Sequence, residues 1–87
     1  MGKIRYELDP DLSLKEKGTL VVCLELVKQG IKPSIENIKK NGLDAERSIM
    51  SSIHRLTELG YYRSIKFRKP DSPGFDWKYE ISETREV

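Results

Sequence analysis

The chain contains one cysteine and one histidine, and that scarcity removes several kinds of chemistry at once. Cys23 has no second cysteine with which to form a disulfide, and Cys23 with His54 falls short of the four ligands of a structural zinc site. Cys23 also lies inside the apolar run Leu20 to Leu26, where a thiol acts as a small core residue rather than a nucleophile. A phosphate-cradling glycine loop, a serine elbow and metal-ligand spacing are all missing. No enzyme is expected, hence no catalytic residue, metal or cofactor. No apolar run approaches the roughly 18 residues of a membrane span, and the opening Met1-Gly2-Lys3-Ile4-Arg5-Tyr6 lacks the apolar stretch of a secretory signal. Tyr6 also stands where a myristoylation signal needs Ser or Thr. The expectation is a cytoplasmic chain with no membrane partner.

What the sequence does carry is a small apolar fraction under many charges. Apolar residues make up 37% and charged residues 34% of 87 residues, enough for one modest core beneath a heavily solvated surface. With no internal repeat and no linker, residues 1–87 read as a single domain. The net charge is only +2, but residues 28 to 69 hold ten Lys or Arg against four Asp or Glu. The flanks hold four basic against five acidic residues before that stretch and two against five after it. A basic middle between acidic ends is the first pointer to a polyanionic partner.

Ile4, Tyr6 and Leu8 alternate with Lys3, Arg5 and Glu7, the period of a half-buried strand, which Asp9-Pro10-Asp11 breaks; residues 1–11 read as strand and turn. Ser13 and Glu16 stand at capping-box spacing and open a first helix with Leu14, Leu20, Val21, Leu24 and Val27 on its apolar side and Gly30 as its stop. Pro33 forbids continuation. Ser34 caps a short second helix carrying Ile35 and Ile38, with Lys39 and Lys40 in its last turn, ended by Asn41-Gly42. Asp44 is the expected cap of a third helix over about 45–59, whose Ala45, Ile49, Ile53, Leu56 and Leu59 form one stripe. Gly60 stops it. Residues 61–81 read as a hairpin around Lys69-Pro70-Asp71-Ser72-Pro73-Gly74, with Trp77, Tyr79 and Ile81 facing inward and one of Tyr61 and Tyr62 sealing the core. Residues 82–87 show no pattern and read as a flexible tail.

That order, a strand, three helices with a tight turn between the second and third, then a two-stranded hairpin, predicts an α+β fold of the winged helix-turn-helix kind. A short turn makes the last two helices cross steeply, so the third can enter a major groove while the hairpin extends beside it as a wing. With the stripe buried, Arg47, Ser48, Ser51, His54, Arg55 and Glu58 turn to solvent. Arg47, Ser48, Ser51 and Arg55 are the expected base contacts, since Arg pairs bidentately with guanine and Ser donates or accepts. Lys39, Lys40, Lys66, Arg68, Lys69 and Lys78, with Arg63, are the expected backbone contacts, giving affinity and salt dependence without sequence reading. His54 reads as a structural or DNA-facing side chain rather than a general base. The expected partner is double-stranded DNA.

The segment Leu12-Ser13-Leu14-Lys15-Glu16-Lys17-Gly18 resembles the "LSLKAKGL" opening of winged-helix domains at the front of phage and plasmid replication initiators. Ile49 to Tyr62, with Ile53, Leu56, Glu58, Leu59, Gly60 and Tyr61, is similar to the "I…L.ELGY" end of the recognition helix in those proteins and in DnaD-type primosome components. The resemblance spans about residues 4 to 81 and implies origin binding or self-association in a bacterial or phage-infected cell, near the nucleoid. It implies replication initiation or transcription regulation, with replication or transcription proteins and a second copy of the chain as further partners. The competing expectation is a protein-interaction module on the same scaffold.

Overall fold

The structure, a computed structural model, describes residues 2–87. Its first two helices begin where the sequence supplies a cap. Helix α1 (Leu14–Lys28) carries both halves of the capping box: Ser13 Oγ accepts from the Glu16 amide at 3.1 Å, and Glu16 Oε1 accepts from the Ser13 amide at 2.9 Å. It ends at Gly30, whose φ of +77° is open to glycine, with the Ile31 amide donating to Leu26 O at 2.8 Å. Its buried face is Thr19, Leu20, Cys23 and Leu26; of the expected side Leu20 is buried and Leu24 packs against the core in part, while the other three are outside. Leu14 is 86% exposed and Val21 and Val27 face solvent, because the helix packs through the 19–20–23–26 stripe and its first turn overhangs the core.

Helix α2 (Ile35–Lys39) starts at Ser34, whose hydroxyl accepts from the Asn37 amide at 3.2 Å, and it buries Ile38. Helix α3 (Glu46–Leu59) buries Ile49, Ser52, Ile53 and Leu56. The N-cap of α3 is Ala45, in extended geometry with no side-chain hydrogen bond. Asp44, expected to cap it, stands one residue too early, and Ala45 itself is exposed. At the other end Gly60, at φ +91°, lets the Tyr61 amide reach Leu56 O at 2.9 Å.

Strands β2 (Tyr62–Arg68) and β3 (Phe75–Ile81) form an antiparallel hairpin with Tyr62 opposite Ile81, Ser64 opposite Tyr79, Lys66 opposite Trp77 and Arg68 opposite Phe75. Only the base of this face meets the helices. Tyr61 and Tyr62 are both buried, where a single core ring was expected, and the Tyr62 hydroxyl donates to Pro33 O at 2.7 Å. Tyr62 meets Tyr79 edge to face, with centroids 6.0 Å apart. Beyond Tyr79 the hairpin outruns the core, so Trp77, expected inside, is 43% exposed.

The last residues are the largest departure from expectation. Strand β4 (Thr84–Glu86) pairs antiparallel with the first strand β1 (Lys3–Arg5), Lys3 opposite Glu86 and Arg5 opposite Thr84. The strand period expected through Leu8 stops at Arg5; Tyr6–Leu8 is a single 3₁₀ turn that buries Tyr6 and leaves Leu8 outside. Below this small sheet Asp9 has no exposed surface. Its carboxylate accepts from the Arg85 guanidinium, from the Tyr61 hydroxyl at 2.7 Å and from the Asp11 amide at 2.9 Å. Arg85 also reaches Asp11 Oδ2 at 2.6 Å. The order is therefore α+β: a short first strand, three helices and a hairpin, with the segment 84–86 closing back on the beginning. Among the described residues no helix is long and apolar enough to cross a membrane.

Candidate nucleic-acid interface

Helix α3 presents a row opposite its buried stripe. At 3.6 residues per turn, Arg47, Ser51, His54 and Glu58 fall within one outward sector, and all four are exposed. Arg47 and Ser51 make no side-chain hydrogen bond or ion pair among the described residues, while His54 Nε2 stands 3.5 Å from Glu58 Oε1. Ser48 and Arg55 belong elsewhere. Both are only half-exposed, and Arg55 Nη2 donates to Asp11 O at 3.3 Å, tying it to the turn after β1.

The hairpin defines which flank of α3 matters. A cleft of about 290 Å³ is lined by Ile35 of α2, Ile53 of α3 and Tyr62, Ser64, Trp77 and Tyr79 of the hairpin. Arg55 comes two positions after Ile53 and so lies about 160° around the helix from that cleft; Ser48 is on the same far side. His54 and the exposed Met50 lie between the cleft and the Arg47–Ser51 row. His54 is thus better placed to act together with the hairpin than either Ser48 or Arg55. Helical spacing from Ile53 carried that signal in the sequence, but only once the side approached by the hairpin was known.

The cations sort by whether a carboxylate answers them. Lys40 is 4.0 Å from Glu36, Arg63 is 3.6 Å from Glu80, and Lys32, on the loop before α2, is 2.9 Å from Asp76. Lys32, and then the Trp77 amide, hold the Asp76 carboxyl below its ordinary range. Lys39, Lys66, Arg68, Lys69 and Lys78 have no carboxylate within ion-pair distance among the described residues, and all five are exposed. Comparison of the chain with protein-family models, with curated proteins and with solved structures finds no match.

Lys66 and Arg68 lie on the cleft side of β2, in register with Trp77 and Phe75, and Lys69 begins the turn, its amide donating to Gly74 O at 3.3 Å. Lys78 is on the opposite face, across from Ile65, and Lys39 is at the far end of α2. The structure therefore gathers Lys66, Arg68 and Lys69 on one arm and turn. Lys78 reaches the other side of the same hairpin, and Lys39 stands apart on α2. Such an arrangement offers guanidinium, hydroxyl and imidazole groups on a rigid helix beside a basic projection.

Proposed function

We propose that this chain is a winged helix-turn-helix module that holds double-stranded DNA, with α3 in the major groove and the β2–β3 hairpin along the backbone. The observation that carries the reading is the exposed row Arg47, Ser51 and His54, whose first two members have no side-chain partner among the described residues, beside a hairpin bearing four cations with no carboxylate in ion-pair reach among them. Arg47 and Ser51 meet base edges, and His54 joins them on the hairpin side. Ser48 and Arg55 take marginal roles. Lys66, Arg68, Lys69 and Lys78, with Lys39, meet phosphates. The biological setting we favour is replication initiation or transcription regulation of the phage and plasmid kind.

A salt titration of duplex affinity tests this. If those five cations each neutralise one phosphate, counterion release gives a slope of log affinity on log salt of about −4.5. Affinity then falls roughly 500-fold between about 50 and 200 mM salt. A flat response removes the duplex reading. The second reading, a protein-interaction module, is favoured by the β1–β4 sheet, in which each strand has one neighbour among the described residues and so leaves an edge open to pairing. A mass that doubles with concentration, together with a flat salt response, supports it.

A further inference from the structure

The hairpin carries more apolar surface than its packing uses. On the face that continues outward from Tyr62 and Tyr79, Trp77 and Phe75 are exposed, Phe75 by 55%. Pairing sets Lys66 across from Trp77 and Arg68 across from Phe75, so rings and cations share the same face in two successive rungs. The Lys66 ammonium lies 4.6 Å from the Phe75 ring centroid and 6.0 Å from that of Trp77. Trp77 is open on two sides. One is the cleft against Ile35 and Ile53; the other is a hollow of about 400 Å³ shared with Val27, Ile31 and Pro33.

The charges around the strip favour a polyanion. Of the hairpin's acidic residues, Asp76 is paired with Lys32 and Glu80 with Arg63, which leaves Asp71 at the turn against Lys66, Arg68, Lys69 and Lys78. An apolar peptide laid across the rings would strip water from Lys66 and Arg68 without replacing it. Paired bases offer a protein their edges rather than their faces. A chain of flat faces joined by phosphates satisfies ring and cation together.

We propose that this strip binds single-stranded nucleic acid, with unpaired bases stacking on Trp77 and Phe75 while Lys66 and Arg68 meet the phosphates between them. The two rings follow each other at about 7 Å along β3, two strand residues apart, and so offer two stacking places in series. This contact goes beyond duplex binding and uses no residue of α3 as a reader.

Trp77 is the one tryptophan of the chain, so its emission reports on the strip alone. Titrating the full chain with a short oligothymidylate should quench that emission saturably. Phe75→Ala should weaken the affinity about 5- to 150-fold, the range for losing one stacked base, with the thermal unfolding curve unmoved. Trp77→Ala, followed by anisotropy of a labelled oligothymidylate, should do the same. An abasic strand of equal length and charge should bind the native chain more weakly than oligothymidylate by a similar factor. Absence of quenching, equal binding of the abasic strand, or full affinity in both variants overturns the proposal. So does a dilution-dependent mass abolished by Phe75→Ala without any quenching, which would make the strip a contact between copies. Failure of the duplex reading is separately visible: Arg47→Ala should leave oligothymidylate binding unchanged, and quenching without duplex affinity sinks only the α3 assignment.

Discussion

Replacing Arg85 by Gln should leave the carboxylate of the best-buried ion pair of the fold without its counter-ion. Asp9 has no exposed surface, and Arg85 donates to both of its oxygens. In the native chain the Arg85 guanidinium, helped by the Asp11 amide and the Tyr61 hydroxyl, holds the Asp9 carboxyl well below the usual carboxylate range against the opposing effect of burial. A carboxyl depressed in the folded state stabilises the fold above its unfolded pKa of about 3.9, and the benefit is lost as pH falls below that value. Without the guanidinium the largest lowering influence is gone, and burial is opposed only by the Asp11 amide and the Tyr61 hydroxyl, so the folded-state pKa of Asp9 moves up. The variant then gains less stability than the native chain as pH rises through the carboxylate range. Leaving a buried carboxylate without its counter-ion costs about 3–5 kcal/mol near neutral pH. For a domain of this size that lowers Tm by roughly 12 °C or more. Thermal unfolding followed by circular dichroism from pH 3 to 7 should therefore show the gap between native and Arg85→Gln widening with pH. In an Asp9→Asn background, where no carboxyl titrates at that position, adding Arg85→Gln should open a gap that is independent of pH. Between the native chain and Arg85→Gln, a gap of constant size across the range, or one below about 1 kcal/mol at pH 7, would refute the reasoning, since an exposed pair is worth no more than that.

Two further outcomes are expected. Burial pushes the Cys23 thiol up to about 12, so a disulfide reagent at pH 8 should leave the folded chain unmodified and react stoichiometrically only in denaturant; rapid labelling of folded protein would contradict the core placement. Arg47→Ala should narrow the preference among duplex sequences by about 5- to 150-fold, whereas Lys69→Ala should weaken every duplex alike. Equal changes in competition binding would overturn that division of roles.

Local chemistry made much of this fold legible. Ser13 and Glu16 forecast both hydrogen bonds that start α1, and Ile49, Ile53 and Leu56 forecast the buried side of α3, because both patterns span four to eight neighbouring residues. The segment 84–86 defeated the same reading. A strand of three residues is too short to show a period, and its partner lies at the opposite end of the chain. Alternation correctly gave Tyr79 and Ile81 an inward side, yet it could not say where the helices behind them stop, and Trp77 falls past that limit. For the candidate interface, the exposure of Arg47, Ser51 and the hairpin cations was readable from spacing. The demotion of Arg55 required its contact with Asp11, which is 44 residues away.

The pairing of β1 with β4 also decides how the fold can be rewired. The Val87 amide donates to Gly2 O at 3.1 Å, so the two ends of the described fold lie side by side. A peptide of a few residues could join the two termini, and new ends could be opened at the Pro70–Gly74 turn without severing any helix. The same neighbourhood of termini suits the domain to grafting into a surface loop of a host protein, which it would enter and leave through a single narrow stalk.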